Sequence, residues 1–123
     1  MNIVDSSGWL SYFADEPSAK NFQPPLQDIQ SLIVPSIIIY EVTKVVLRES
    51  GDDAALQVMA AMHKGNVIDL TARLAVAASR ISLQHKLPTA DSIILATARD
   101  CNATIWTQDI HFKNLSNVKY FQK

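Results

Sequence analysis

Short apolar runs alternate along this chain with longer segments of helical period, and that alternation restricts the fold more than any single residue does. Asn2-Ile3-Val4, Leu32-Ile33-Val34, Val67-Ile68, Thr104-Ile105-Trp106 and Val118-Lys119-Tyr120-Phe121 read as short strands. The segments between them carry apolar residues at helical spacing, which is the pattern of a mainly parallel sheet covered by helices. The expectation is one α/β domain over residues 1–123, with a four- or five-stranded sheet flanked by helices on both faces. The last strand is expected at an edge, because it is short and carries Lys119.

Helix boundaries follow from local chemistry. Ser6-Ser7 open a helix bearing Trp9, Leu10, Tyr12 and Phe13, and the Pro24-Pro25 pair interrupts the chain downstream. Pro35 stops the second strand, Ser36 is placed to cap a helix from Ile37 to Glu49, and Gly51 lies beyond its end. Asp52 or Asp53 then caps a helix from Ala54 to His63. Thr71 begins a segment whose core-facing stripe is read as Leu74, Ala77, Ala78, Ile81 and Leu83, ending at the His85-Lys86 break. Pro88 starts another helix that runs to Asp100.

Nearly half the residues are apolar (48%), enough for one continuous core in a chain of 123 residues. Eleven bases against 12 acids give no global signature of a nucleic-acid binder. The single cysteine, Cys101, excludes an internal disulfide and cysteine-cluster zinc sites, and fits a reducing compartment such as the cytoplasm. The opening residues show no basic segment followed by an apolar stretch, and no apolar run nears the roughly 20 residues that span a bilayer. Neither export nor membrane anchoring is expected.

A charged residue within an apolar run costs free energy unless it is paired or holds a metal, so the informative acids are those in buried contexts. Asp5 ends the first strand, and Asp109 follows the fourth after Thr107-Gln108. Both lie at the carboxyl ends of strands, where open parallel sheets place their ligand sites. Glu41 interrupts Ile37-Ile38-Ile39-Tyr40-Glu41-Val42 one turn into its helix. Asp91 interrupts Leu87–Leu95 near a helix amino end, where the macrodipole favours negative charge. Each acid also has a purely structural role open to it: Asp5 and Asp109 as helix caps, Asp91 as a dipole partner, Glu41 as a partner of Lys44 or part of a solvated stripe with Lys44 and Arg48. Carboxylates gathered without a cation raise one another's pKa, so a true cluster implies a bound hard ion, magnesium or manganese.

Four segments, Ile3-Val4-Asp5-Ser6-Ser7, Ile39-Tyr40-Glu41-Val42, Ala90-Asp91-Ser92-Ile93-Ile94-Leu95-Ala96 and Thr107-Gln108-Asp109-Ile110-His111-Phe112, together resemble the PIN-domain family. The short single-domain form is similar to the VapC toxins of bacterial toxin–antitoxin pairs, and the resemblance spans essentially the whole chain. It implies a single PIN-like domain over 1–123 in which Asp5, Glu41, Asp91 and Asp109 hold one or two Mg2+ ions, with Mn2+ as substitute. It implies that the hydroxyls of Ser7 and Thr107 help order the site. Family members often carry a further acid where this chain has His111, which is read as a surface or site-edge residue rather than a ligand.

The implied activity is endonucleolytic cleavage of RNA that leaves phosphate on the 5′ end of the downstream product. The implied partners are an RNA substrate, a cognate antitoxin whose tail folds over the active edge, and a second copy in a homodimer or a larger toxin–antitoxin assembly. Lys44 and Arg48, one and two turns beyond Glu41, are candidates to hold flanking phosphates, as a solvated helix face would also explain. Trp9, Tyr12 and Phe13 fit core or subunit packing better than base stacking. Two other readings stand beside the nuclease: a non-catalytic PIN-like module that binds RNA or protein, and a phosphoryl-transfer domain using Asp5 as nucleophile. The second fits poorly, since Ser7 stands where another acid is needed and no lysine partners the cluster.

Overall fold

In the computed structural model, which describes residues 1–123, the strands are β1 (Asn2–Val4), β2 (Ile33–Pro35), β3 (Asn66–Ile68), β4 (Thr104–Thr107) and β5 (Val118–Tyr120). β1, β4 and β5 form one parallel ladder and β2 and β3 another. A parallel bridge between Asn2 and Leu32 joins them at the β1–β2 seam. The order across both ladders is therefore β3-β2-β1-β4-β5, with β5 at an edge as its lysine suggests. Strand succession reverses between β1 and β4, and a crevice opens beyond the carboxyl ends of strands at such a reversal.

Successive strand residues face opposite sides of a sheet. Ile3 and Val4 are both 0% exposed, and Ile33 and Val34 are both buried, so helices cover both faces of the inner strands. The core is one cluster that includes Ile3, Val34, Ile38, Leu95, Ile105 and Phe112. No helix is long and apolar enough to cross a membrane.

The helices are α1 (Ser6–Phe13), α2 (Gln23–Gln27), α3 (Ser36–Met62), α4 (Ala72–His85) and α5 (Thr89–Cys101). Pro24 and Pro25 do not merely interrupt the chain. They sit in the first turn of α2, where their missing amides cost nothing. Ser36 is the first residue of α3 rather than its cap, which is Pro35: the last strand residue, with φ −60° and ψ 136°, passes directly into the helix, so no separate capping residue stands between them. The helical path of α3 breaks at Gly51, as expected: its φ of 86° and ψ of −174° are not helical and suit only glycine, so two helical segments meet there at a kink.

Thr71 caps α4 by accepting the Leu74 amide at 3.2 Å, and Lys86 ends that helix in the left-handed region. Leu83 is 85% exposed and does not belong to the core stripe. Two residues beyond the buried Ile81, it points to the opposite side of the helix. Trp9 is buried and stacks on Phe13 with ring centroids 5.6 Å apart, so that pair is core packing.

Candidate metal centre

Asp5 leaves β1 with its amide still bonded to the Trp106 carbonyl of β4 at 3.2 Å, so the ladder itself sets its position. Its carboxylate caps α1 by accepting the Gly8 amide at 3.2 Å. The Ser7 hydroxyl donates to Oδ1 and the Thr107 hydroxyl to Oδ2, each at 2.7 Å. Oδ1 is therefore filled by two donors, while Oδ2 keeps one lone pair free. Gly8 makes this turn possible: a Cβ there would lie 2.5 Å from Val4 Cγ1 and 2.7 Å from Phe22 Cδ1.

Thr107, wholly buried at the end of β4, also accepts the Asp109 amide at 2.8 Å and so ties two acids to one hydroxyl. Asp109 in turn accepts the His111 amide at 2.9 Å, closing a tight turn over Ile110–Phe112. That turn brings the His111 ring back over the site. Its Nδ1 stands 3.1 Å from Asp91 Oδ2 and 3.1 Å from Asp109 Oδ1. Asp91 reaches the same point from the first turn of α5 and is 9% exposed. One ligand atom from each of Asp91, Asp109 and His111 lies within 4.8 Å of the others.

Glu41 enters from the first half of α3. Its Oε1 is shielded from solvent and has no hydrogen-bond partner. A buried carboxylate oxygen without a donor is costly, and a cation is the partner that would satisfy it.

The electrostatics record the crowding. Burial raises the Asp5 carboxyl from 3.8 to about 6; the bonds from Ser7, Thr107 and Gly8 offset part of that, and Asp109 adds to it. Burial is also the largest influence on Asp91, followed by repulsion from Asp109, and lifts it from 3.8 to about 7, with His111 opposing and Glu41 and Asp5 contributing. Glu41 is raised chiefly by burial, against the Ser6 hydroxyl and with Asp109. Asp5, Glu41, Asp91 and Asp109 thus feel one another's charge, with one imidazole as the neighbouring base. An oxygen-rich set of this kind fits a divalent cation.

The capping roles expected of two acids are observed: Asp5 accepts the Gly8 amide at the start of α1, and Asp109 accepts the His111 amide. Glu41 does not pair with Lys44, whose Nζ instead lies 5.7 Å over the Tyr40 ring. Arg48 pairs with Glu49 at 3.4 Å on the open surface. Neither base touches the carboxylates.

Two residues take a larger part in the site than the sequence suggests. Gln108 donates from Nε2 to the Ser7 carbonyl at 3.3 Å, locking α1 to the end of β4. His111 faces the acids although half exposed, and its signal was the Asp-x-His spacing directly after a strand, where an aspartate can fold the backbone onto its own side chain. Beside the cluster, a groove of about 720 Å³ runs between α1 and α3, lined by Ser6, Ser7, Leu10, Phe13, Val46 and Gln108 among others.

The PIN domain family model matches residues 3–118. A chain of a toxin–antitoxin complex from Klebsiella pneumoniae superposes with a TM-score of 0.82 at 20% identity, covering 97% of this chain and 96% of that one. VapC20 of Mycobacterium tuberculosis, described as a toxin that cleaves the sarcin-ricin loop, gives 0.76 at 17% identity over 96% and 98%. A chain of DNA-bound VapBC from Salmonella typhimurium gives 0.77 at 14% identity over 98% of both. Among curated protein sequences none matches.

Proposed function

The chain belongs to the PIN-domain family, and on that premise we propose that it is a metal-dependent endoribonuclease acting in the cytoplasm as the toxin of a VapBC-type pair. The observation that carries the proposal is the meeting of Asp91 and Asp109 within 4.8 Å, close enough to Asp5 and Glu41 to feel their charge, with the buried Glu41 Oε1 lacking a protein partner. Asp5 through Oδ2, with Glu41, Asp91 and Asp109, would hold one or two Mg2+ or Mn2+ ions. Bound there, such ions supply phosphate neutralisation, an acidified water and a stabilised leaving oxygen.

The chain's own residues do the positioning. Ser7, Gly8 and Thr107 fix Asp5 in a single orientation, and Thr107 holds the Asp109 backbone at the same time. The nearly complete burial of Asp5 keeps water from competing for its carboxylate. Lys44 and Arg48 offer positive charge one and two turns along α3 from Glu41, suited to phosphates flanking the scissile bond.

The same proposal covers the partners. The groove is lined by Leu10, Phe13 and Val46 together with Ser6, Ser7 and Gln108, and Ser7 also bonds Asp5, so an antitoxin segment laid along it would pass beside the active edge. Tyr40 (59% exposed) and Leu47 (43%) leave an apolar surface on the first part of α3 that suits a second copy. Sequencing RNA 5′ ends after brief expression tests the activity. Wild type should arrest growth and produce new 5′-phosphate ends at a small set of sites, and Asp91→Asn should do neither. Equal arrest and identical ends from a folded Asp91→Asn protein would remove the assignment.

A further inference from the structure

His111 is the one donor at this centre that is not an oxygen, and its placement gives it more than an edge position. Two donors bound to one ion at about 2.1 Å and at right angles to each other lie about 3 Å apart. The Nδ1 distances to Asp91 Oδ2 and Asp109 Oδ1 are both 3.1 Å, the spacing of adjacent ligands sharing an ion. The His111 amide, bonded to Asp109 at 2.9 Å, pins the backbone so that Nδ1 faces the acids. Nε2 makes no hydrogen bond within the chain, and the side chain is 53% exposed. A neutral ring with its proton on Nε2, facing water, leaves the Nδ1 lone pair directed at the two carboxylates.

We propose that His111 binds the metal directly through Nδ1, beside Asp91 and Asp109, and that its imidazole shifts the preference of the site from magnesium toward manganese and the later divalent transition ions. The inference rests on the metal-dependent reading above. Imidazole suits first-row transition ions, whereas carboxylate, carbonyl and water suit magnesium, so one nitrogen in an oxygen set changes the ranking of ions without abolishing any of them. The competing role for the ring is that of a counter-charge, protonated between two acids and displaced when an ion arrives. The two roles differ in whether nitrogen touches the metal.

Pulsed electron paramagnetic resonance on the full chain loaded with Mn2+ distinguishes them. Wild type should show nitrogen modulation from a directly bound imidazole. H111D, which supplies an oxygen in the same place, and H111Q should retain Mn2+ and lose the modulation. Calorimetric titration with Co2+ and with Mg2+ should show the ratio of their affinities falling roughly tenfold or more in H111D relative to wild type.

Manganese bound to wild type without nitrogen modulation would overturn the role of His111 and leave the metal site standing. Modulation that survives in both variants, or an unchanged Co2+ to Mg2+ ratio, would overturn it as well. Failure of wild type to bind any of the three ions would overturn both this inference and the metal-dependent reading.

Discussion

Replacing Asp5 by Asn should stabilise the metal-free protein relative to wild type, and do so more at pH 8 than at pH 4. Asp5 is 2% exposed, and its carboxyl is raised from 3.8 to about 6, mainly by burial. A raised value means that the folded protein holds a proton the unfolded chain has released. Stability is therefore undiminished below the unfolded value, falls as the pH climbs from 3.8 to about 6, and stays at the lower level beyond. The full loss is about 3 kcal/mol, and most of it, about 2 kcal/mol, falls between pH 4 and pH 8, because the unfolded carboxyl is already partly ionised at pH 4.

Asn has no proton to lose, and it can keep the local bonding. Its Oδ1 accepts from Ser7 and Gly8, while its Nδ2 donates to a Thr107 hydroxyl turned the other way. Any constant cost of the substitution cancels when the two pH values are compared. Urea denaturation of both proteins in EDTA measures the difference, which should move by about 2 kcal/mol in favour of Asn on going from pH 4 to pH 8. Added Mn2+ should then raise the stability of wild type and leave Asp5→Asn nearly unchanged. A difference independent of pH, or one that grows in favour of wild type as pH rises, would refute the reasoning.

Thr107→Val removes the bond to Asp5 and strands the Asp109 amide; we expect a loss of about 1–3 kcal/mol in urea denaturation. Cleavage should fall with it, because both acids lose their shared tether. Gly8→Ala forces a methyl group against Val4 and Phe22 and should cost about 1–3 kcal/mol, read as a lowered melting temperature. Lys44→Ala with Arg48→Ala should weaken RNA binding and flatten its salt dependence by roughly 0.7 per lost phosphate contact in log–log slope, with metal binding unchanged by calorimetry. An unaltered slope would return both side chains to a merely solvated face.

The sequence was most legible where backbone and apolar pattern coincide. Ile3-Val4 and Ile33-Val34 are buried on both sides, so their strands stand out as continuous apolar runs, and Asp5 stands out as the charge that ends the first, as Asp109 does beyond β4. Asp91 and Glu41 were visible as acids inside apolar helices. Leu83 was misplaced because a stripe extrapolated by composition ignores the turn of the helix, and Ser36 because the bond pattern at a helix start depends on where the preceding strand releases the chain. His111 is legible only as a site-edge residue, for a different reason. Its orientation is set by a backbone bond to Asp109, a tertiary detail of one turn that neither periodicity nor charge reveals. The joining of α1 to β4 by Gln108 and Ser7 spans 101 residues of sequence and has no local trace.

Cleavage of RNA by purified protein, stripped of metal and then resupplied, tests the central claim most directly. Wild type should be inert in EDTA, regain cutting with Mn2+ or Mg2+, and leave 5′-phosphate ends, while Asp91→Asn, folded by circular dichroism, should stay inert under every condition. Cleavage by the metal-free protein, or by Asp91→Asn at the wild-type rate, would contradict the account.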